Sequence, residues 1–263
     1  MSSRRVVVTG LGMVSPLGLT MQESWQNALK GQSGIGPITL FDASVHSVQF
    51  AGEVKNFNAE NLIGKKEMKK MDRFIHLCLT ATDEAIKDCG LDFTNEELQL
   101  NTGSIVGVGM GGMPILEKQR DIMTSRGPGR ITPFLIPAII ANMASGHVSI
   151  KYGLKGPNYS VTSACASGNH SLGESFNYIK NGMCDVMVSG GTESVVSDLG
   201  IGGFAAMKAL STRNETPQKA SRPWDQDRDG FVLSEGSSIL ILEEYEHAKA
   251  RGAKIYAELK GYG

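Results

Sequence analysis

Residues 157–173, PNYSVTSACASGNHSLG, hold Cys165 where one residue pattern gives way to another. From Asn158 to Ser163, the residues Tyr159, Val161 and Thr162 suit an extended, half-buried run. From Ala166 onward the residues are small (Ala166, Ser167, Gly168), and His170, Leu172, Phe176 and Ile179 then recur at roughly helical spacing. A strand that enters a helix with almost no loop leaves Cys165 on the sharp turn, at or just before the helix N-terminus. Unpaired amides and the helix dipole favour a thiolate there. Small neighbours let a carbonyl approach both the sulfur and backbone N–H groups that could hold an oxyanion. The competing reading is one more buried, apolar packing thiol.

On either side of this elbow, apolar strands alternate with helices. Residues 4–9 are a β-branched run broken by Gly10 and Gly12, and such a continuous strand belongs in a sheet covered on both faces. Thr20 caps an expected helix over 21–30, with Trp25 and Leu29 on one face and Gly31 as stop. Residues 34–56 read as loop with short extended pieces. One long helix is expected over 66–89, its apolar stripe formed by Phe74, Leu77, Cys78, Ala81, Ala85 and Ile86. Further strands are expected at 104–108, 185–189 (closed by Gly190-Gly191), 238–243 and 254–260. Helices are expected at 141–152, from Cys165 to about Asn181, and at 244–251, with a structured loop at 221–230. The alternation predicts an α/β protein with a mixed, mainly parallel sheet.

The 263 residues are 41% hydrophobic and 20% charged with a net charge of −1, which suits a soluble globular protein with a large core. Near-zero charge argues against general nucleic-acid binding. The four cysteines, Cys78, Cys89, Cys165 and Cys184, form no C-x-x-C pair, and no histidines cluster, so no metal site is expected. MSSRRVVVTG is not a signal peptide and no run reaches membrane-span length, so a reducing, cytoplasmic setting without membrane partners is expected. Residues 107–112, GVGMGG, satisfy G-x-G-x-x-G. They lack the acidic residue about 20 positions on that a dinucleotide site needs, so that reading is rejected and no cofactor is expected. KKEMKK, residues 65–70, reads as a solvated helix start on composition alone.

The elbow VTSACASGNHSLG resembles that of the β-ketoacyl-[acyl carrier protein] synthases, most closely their type II branch. So do VVVTGLGMVSPLG, KKMDRF, GVGMGGM, ITPFLIP, VSGGTES, GIGGFAAMKALSTRN and SRPWDQDRDGFVLSEG, in family order and spacing. The resemblance implies a thiolase-like fold, the first half of a layered αβαβα architecture. Residues 1–252 would form that half and residues 253–263 the first strand of a truncated second half. It implies acyl transfer to Cys165, followed by decarboxylative condensation with malonyl-carrier protein on two histidines of the second half. Met110, Leu135 and Phe204 would line the acyl pocket. Lys65, Lys66, Lys69, Lys70 and Lys208 would dock the acidic acyl carrier protein. The proline-bracketed segment ITPFLIP and the strand at 158–164 would lie at a homodimer interface; plain core is the alternative for ITPFLIP.

None of His46, His76, His147, His170 and His247 stands in the family's catalytic histidine motifs. His170, more than one helical turn beyond Cys165, is expected to point away from the elbow. A chain-length-determining subunit would lack Cys165, and the motif surroundings fit the carrier-protein branch better than a thiolase acting on coenzyme A esters. The alternative from another class is an inactive fragment that only dimerises or binds carrier protein.

Overall fold

A computed structural model describes residues 4–263. In chain order its elements are β1 (Val6–Val14), α1 (Met21–Leu29), β2 (Ile35–Pro37), β3 (Phe50–Gly52), α2 (Glu60–Ile63), α3 (Lys65–Met68), α4 (Arg73–Cys89), α5 (Glu96–Leu100), β4 (Thr102–Gly107) and α6 (Met113–Arg126). There follow α7 (Leu135–Ile139), α8 (Met143–Tyr152), β5 (Asn158–Tyr159), α9 (Ser167–Lys180), β6 (Val186–Glu193), α10 (Asp198–Ala206), β7 (Gly236–Glu244), α11 (Tyr245–Ala250) and β8 (Ala257–Leu259).

Six strands form one sheet in the order β5-β4-β6-β7-β1-β8. β4 runs parallel to β5 and β6, while β7 is antiparallel to both β6 and β1 and β8 is antiparallel to β1. Strands β5, β4, β6 and β1 therefore share one direction, and β7 and β8 oppose them. The pleat sorts side chains between two helical layers. Val186, Val188, Ile239 and Ile241 face the core shared with α4 and α8, whereas Met187 and Leu242 face the core of α9 with Phe176 and Ile179. A third cluster, around the β2–β3 hairpin and α10, includes Phe50, Ile201 and Leu233.

The packing of α4 on β1 follows from two glycines. A Cβ at Gly10 would lie 2.3 Å from the Ala85 carbonyl oxygen, and one at Gly12 only 1.9 Å from that of Ala81. Two strand residues rise about 6.6 Å and four helical residues about 6 Å, so the two contacts stay in register. The bulge between Val8 and Gly10 sits at the same place.

Several sequence boundaries move. Residues 66–89 do not form one helix: the chain breaks after α3, and Asp72 starts α4 by accepting from the Arg73 amide at 2.5 Å. Asp72 also accepts from the Ile115 amide (2.7 Å), so one carboxylate joins the beginnings of α4 and α6. Gly190 and Gly191 do not close β6, which runs on through them to Glu193. Trp25 and Leu29, expected on one face of α1, are both exposed. The glycine-rich stretch at 200–204 is helical, started by Ser197, whose hydroxyl accepts from the Gly200 amide.

Candidate active site

The elbow is built by hydroxyl groups and one strained residue. Regular pairing of β5 with β4 ends at Tyr159, after which Ser160 and Thr162 donate their hydroxyls to the carbonyls of Val106 and Val108 (2.7 and 2.9 Å). Ala164 then turns the chain with φ of 51°, in the left-handed region that costs an L-residue about 1 kcal/mol or more. Ser167 holds the turn closed, accepting from the Ser163 amide (2.9 Å) and donating to the Ala164 carbonyl (2.7 Å). Helix α9 lies against the strand ends because glycines leave room. A Cβ at Gly107 would sit 2.2 Å from Ser167 backbone, and one at Gly191 would sit 3.1 Å from Gly168.

Cys165 stands two residues ahead of α9, exposed and unbridged. Its amide has no hydrogen-bonding partner among the described residues. The other three thiols are buried, and burial pushes Cys78 up to about 12, Cys89 to about 11 and Cys184 to about 12. The packing-thiol reading thus holds for those three and fails for Cys165. The expected buried strand before it is corrected as well. Regular strand covers only Asn158–Tyr159 at the sheet edge, and both Ala164 and Cys165 are exposed.

The expectation for His170 is also corrected. Its Nδ1 lies 2.6 Å from the Ser163 hydroxyl, so the ring reaches back to the elbow instead of away from it. Its other neighbour is the Tyr262 ring, edge-on at 5.9 Å. The remaining histidines are engaged elsewhere: His46 with Asp198 (2.5 Å), His76 with the Met68 carbonyl (3.0 Å) and His247 with Glu243 (2.6 Å). Burial lowers the pKa of His76 and His147, favouring neutral imidazoles.

Beside the elbow lies the loop GMGG, residues 109–112. Because Gly107 pairs with Gly191 in the parallel β4–β6 register, Glu193 arrives level with Gly109. Its carboxylate accepts from three consecutive amides, Gly109 and Met110 at 2.8 Å and Gly111 at 3.1 Å. Burial raises the Glu193 pKa against the pull of those amides. Successive N–H groups of this kind form an anion-binding nest. Here the anion is internal, which gives the physical reason why this G-x-G-x-x-G offers no cradle for a phosphate. Glu193 lies within VSGGTES but carries no expected role, because its amide partners come to it only through the β4–β6 register.

Of the expected pocket residues, Met110 is on this loop, 42% exposed. A Cβ at the preceding Gly109 would lie 3.7 Å from the Ala164 carbonyl oxygen, so loop and elbow adjoin. Leu135 opens α7, half-buried, and α7 backs the same loop: Cβ atoms at Gly111 and Gly112 would meet the Ile139 and Ala138 carbonyls at 2.6 Å. Phe204 belongs to the third cluster, edge-on to Phe231 at 5.2 Å. Lys65 and Lys66 are exposed on α3, and Lys69 and Lys208 are exposed as well. Lys70 is more committed, pairing with Glu67 (2.6 Å) and lying over the Phe134 ring at 5.4 Å. A cavity of about 730 Å³ lies away from the elbow, its lining including Arg73, Glu117, Arg126, Ser197 and Leu199 but not Cys165.

Comparison with known proteins decides the family. The model for the β-ketoacyl synthase N-terminal domain matches residues 3–248. The chain belongs to the β-ketoacyl synthase family. The chain is 51% identical over 263 residues to 3-oxoacyl-[acyl-carrier-protein] synthase 2 of Vibrio cholerae and 50% identical over 262 residues to that of Synechocystis. It is covered completely in both comparisons and spans 63% of each relative. Among solved structures, it superposes on a β-ketoacyl synthase from Burkholderia phymatum with TM-score 0.87 at 30% identity, over 97% of this chain and 62% of that one. The ishigamide ketosynthase/chain length factor gives 0.89 at 32% identity, over 100% and 64%. These likenesses bear out the thiolase-like α/β reading of the chain.

Proposed function

We propose that this chain is the nucleophile-bearing part of a 3-oxoacyl-[acyl-carrier-protein] synthase of fatty acid synthesis. The observation that carries the reading is Cys165, the one exposed cysteine, on a strained elbow ahead of α9. In the acyl-transfer step its thiolate attacks the thioester carbonyl carbon, the new S–C bond forms, and the carrier's C–S bond breaks. The carrier's thiolate leaves with the electron pair and takes up the proton that Cys165 gave up, so the exchange is nearly balanced. The Cys165 amide is free to donate to the tetrahedral oxyanion, a contribution of about 3 kcal/mol for such a donor.

Condensation additionally requires donors for the enolate left when malonyl-carrier protein loses carbon dioxide. This chain's histidines are held by Asp198, Met68, Glu243 and Ser163, or half-buried as His147 is. Our reading therefore assigns acyl transfer to these residues and the decarboxylation donors to a second half opened by residues 253–263. Met110, Leu135 and Phe204 line the acyl pocket in this reading, and the protein works in the cytoplasm as a homodimer. The acyl carrier protein docks on Lys65, Lys66, Lys69, Lys70 and Lys208. One similar structure is a ketosynthase in complex with its acyl-carrier protein, which supports that partner class.

The test is mass spectrometry of the 263-residue chain after exposure to an acyl-carrier-protein thioester, with malonyl-carrier-protein consumption followed in parallel. An acyl adduct at Cys165, absent from Cys165→Ala, together with no malonyl consumption is the expected result. No adduct would leave the inactive, binding-only fragment as the better description.

A further inference from the structure

Met110 is the only residue with a side chain in the stretch 109–112, and its backbone is gripped from two sides. On one side the Glu193 carboxylate takes the amides of Gly109, Met110 and Gly111. The fit leaves no slack, since a Cβ at Gly109 would stand 2.7 Å from Glu193 Oε2. On the other side α7 presses the Ile139 and Ala138 carbonyls against Gly111 and Gly112, with Gly111 at φ of 78°. The Met110 side chain is unbranched and adaptable, so the backbone decides where it projects.

We propose that Glu193 is a positioning residue for acyl-chain selectivity: by clamping the 109–111 amides it fixes Met110 beside the Cys165 elbow. The inference rests on the acyl-transfer reading above and extends it to a residue that touches neither the acyl group nor the thiol. A displaced Met110 would obstruct the pocket for a long chain while leaving a short one nearly untouched. Differences of one or two methylenes in an apolar pocket already change rates about tenfold.

The test uses the full chain and three readouts: acylation of Cys165 by butyryl- and dodecanoyl-pantetheine thioesters, and alkylation by iodoacetamide. Glu193→Gln keeps the side-chain shape but replaces one accepting oxygen by an NH2 group that can only donate. It should lower the ratio of dodecanoyl to butyryl rates about tenfold and leave iodoacetamide within about twofold. An unchanged ratio, or an equal fall in all three rates, would overturn the proposal, the latter showing a merely structural role. If the variant does not fold, the parent decides by hydrogen–deuterium exchange. Protection at 109–111 supports the clamp, and exchange as fast as in an unfolded peptide refutes it. A parent that takes up neither thioester removes the acyl-transfer reading itself, a result distinct from a parent that is acylated while the variant's ratio stays put.

Discussion

A cysteine reacts only as fast as its thiolate can form and be reached, and the four in this chain divide on both counts. Native protein at about pH 8 should take up one equivalent of iodoacetamide quickly, at Cys165, and four once unfolded. A second fast site located by peptide mapping would contradict the burial of Cys78, Cys89 or Cys184. Asp72 supplies a pH prediction. Burial raises its carboxyl from 3.8 to about 6 although it accepts two amide hydrogen bonds. The native state thus binds this proton more tightly than the unfolded chain, and its contribution to stability falls as pH rises from about 4 to about 6, by at most about 3 kcal/mol. Relative to Asp72→Asn, the parent should lose stability across that window in urea titrations, and a pH-independent difference would refute the assignment. At this scale Cys165 was readable because small residues and a change of period surround it. His170 and Glu193 were not, because their partners, the Ser163 hydroxyl and the 109–111 amides, follow from a turn and a strand register that no local pattern encodes.

The helix break between α3 and α4 leaves the lysines on a short, exposed turn instead of along one continuous face. Replacing Lys65, Lys66, Lys69 and Lys70 by glutamate should weaken carrier-protein binding strongly at low ionic strength and far less at high salt. Equal affinity of variant and parent at low salt, measured by calorimetry, would remove the docking role. Lys70→Glu alone should also cost some stability, because it sets like charges beside Glu67 and ends the contact over Phe134. The break was hidden because the residues on both sides of it suit a helix, and Asp72, which caps α4 through the Arg73 amide, is a single signal among them. β6 was read short for the opposite reason. Glycines usually punctuate a strand, but Gly190 and Gly191 are needed inside it for the close approach of β7 and α9.

Across the molecule, Phe134, Ile136 and Ile140 around α7 stay exposed, and β5 leaves one sheet edge unpaired. An apolar patch with an open edge favours a second copy. Sedimentation should therefore show a dimer at micromolar concentration, with Ile136→Lys shifting it towards monomer; a monomeric parent would contradict the proposal. The α/β class and the order of elements were legible from the alternation of apolar strands and helices. The reversed direction of β7 was not, because a buried strand reads the same whichever way it runs. That reversal places β1 between β7 and β8, and its Thr9 hydroxyl bonds Glu243, 234 residues later in the chain. On a ribosome adding about 5–20 residues per second, the first strand made waits on the order of ten to fifty seconds for its neighbour. The pair β4–β6 with α9 is synthesised before β7, so the elbow carrying Cys165 can form while β1 still has no neighbour in the sheet.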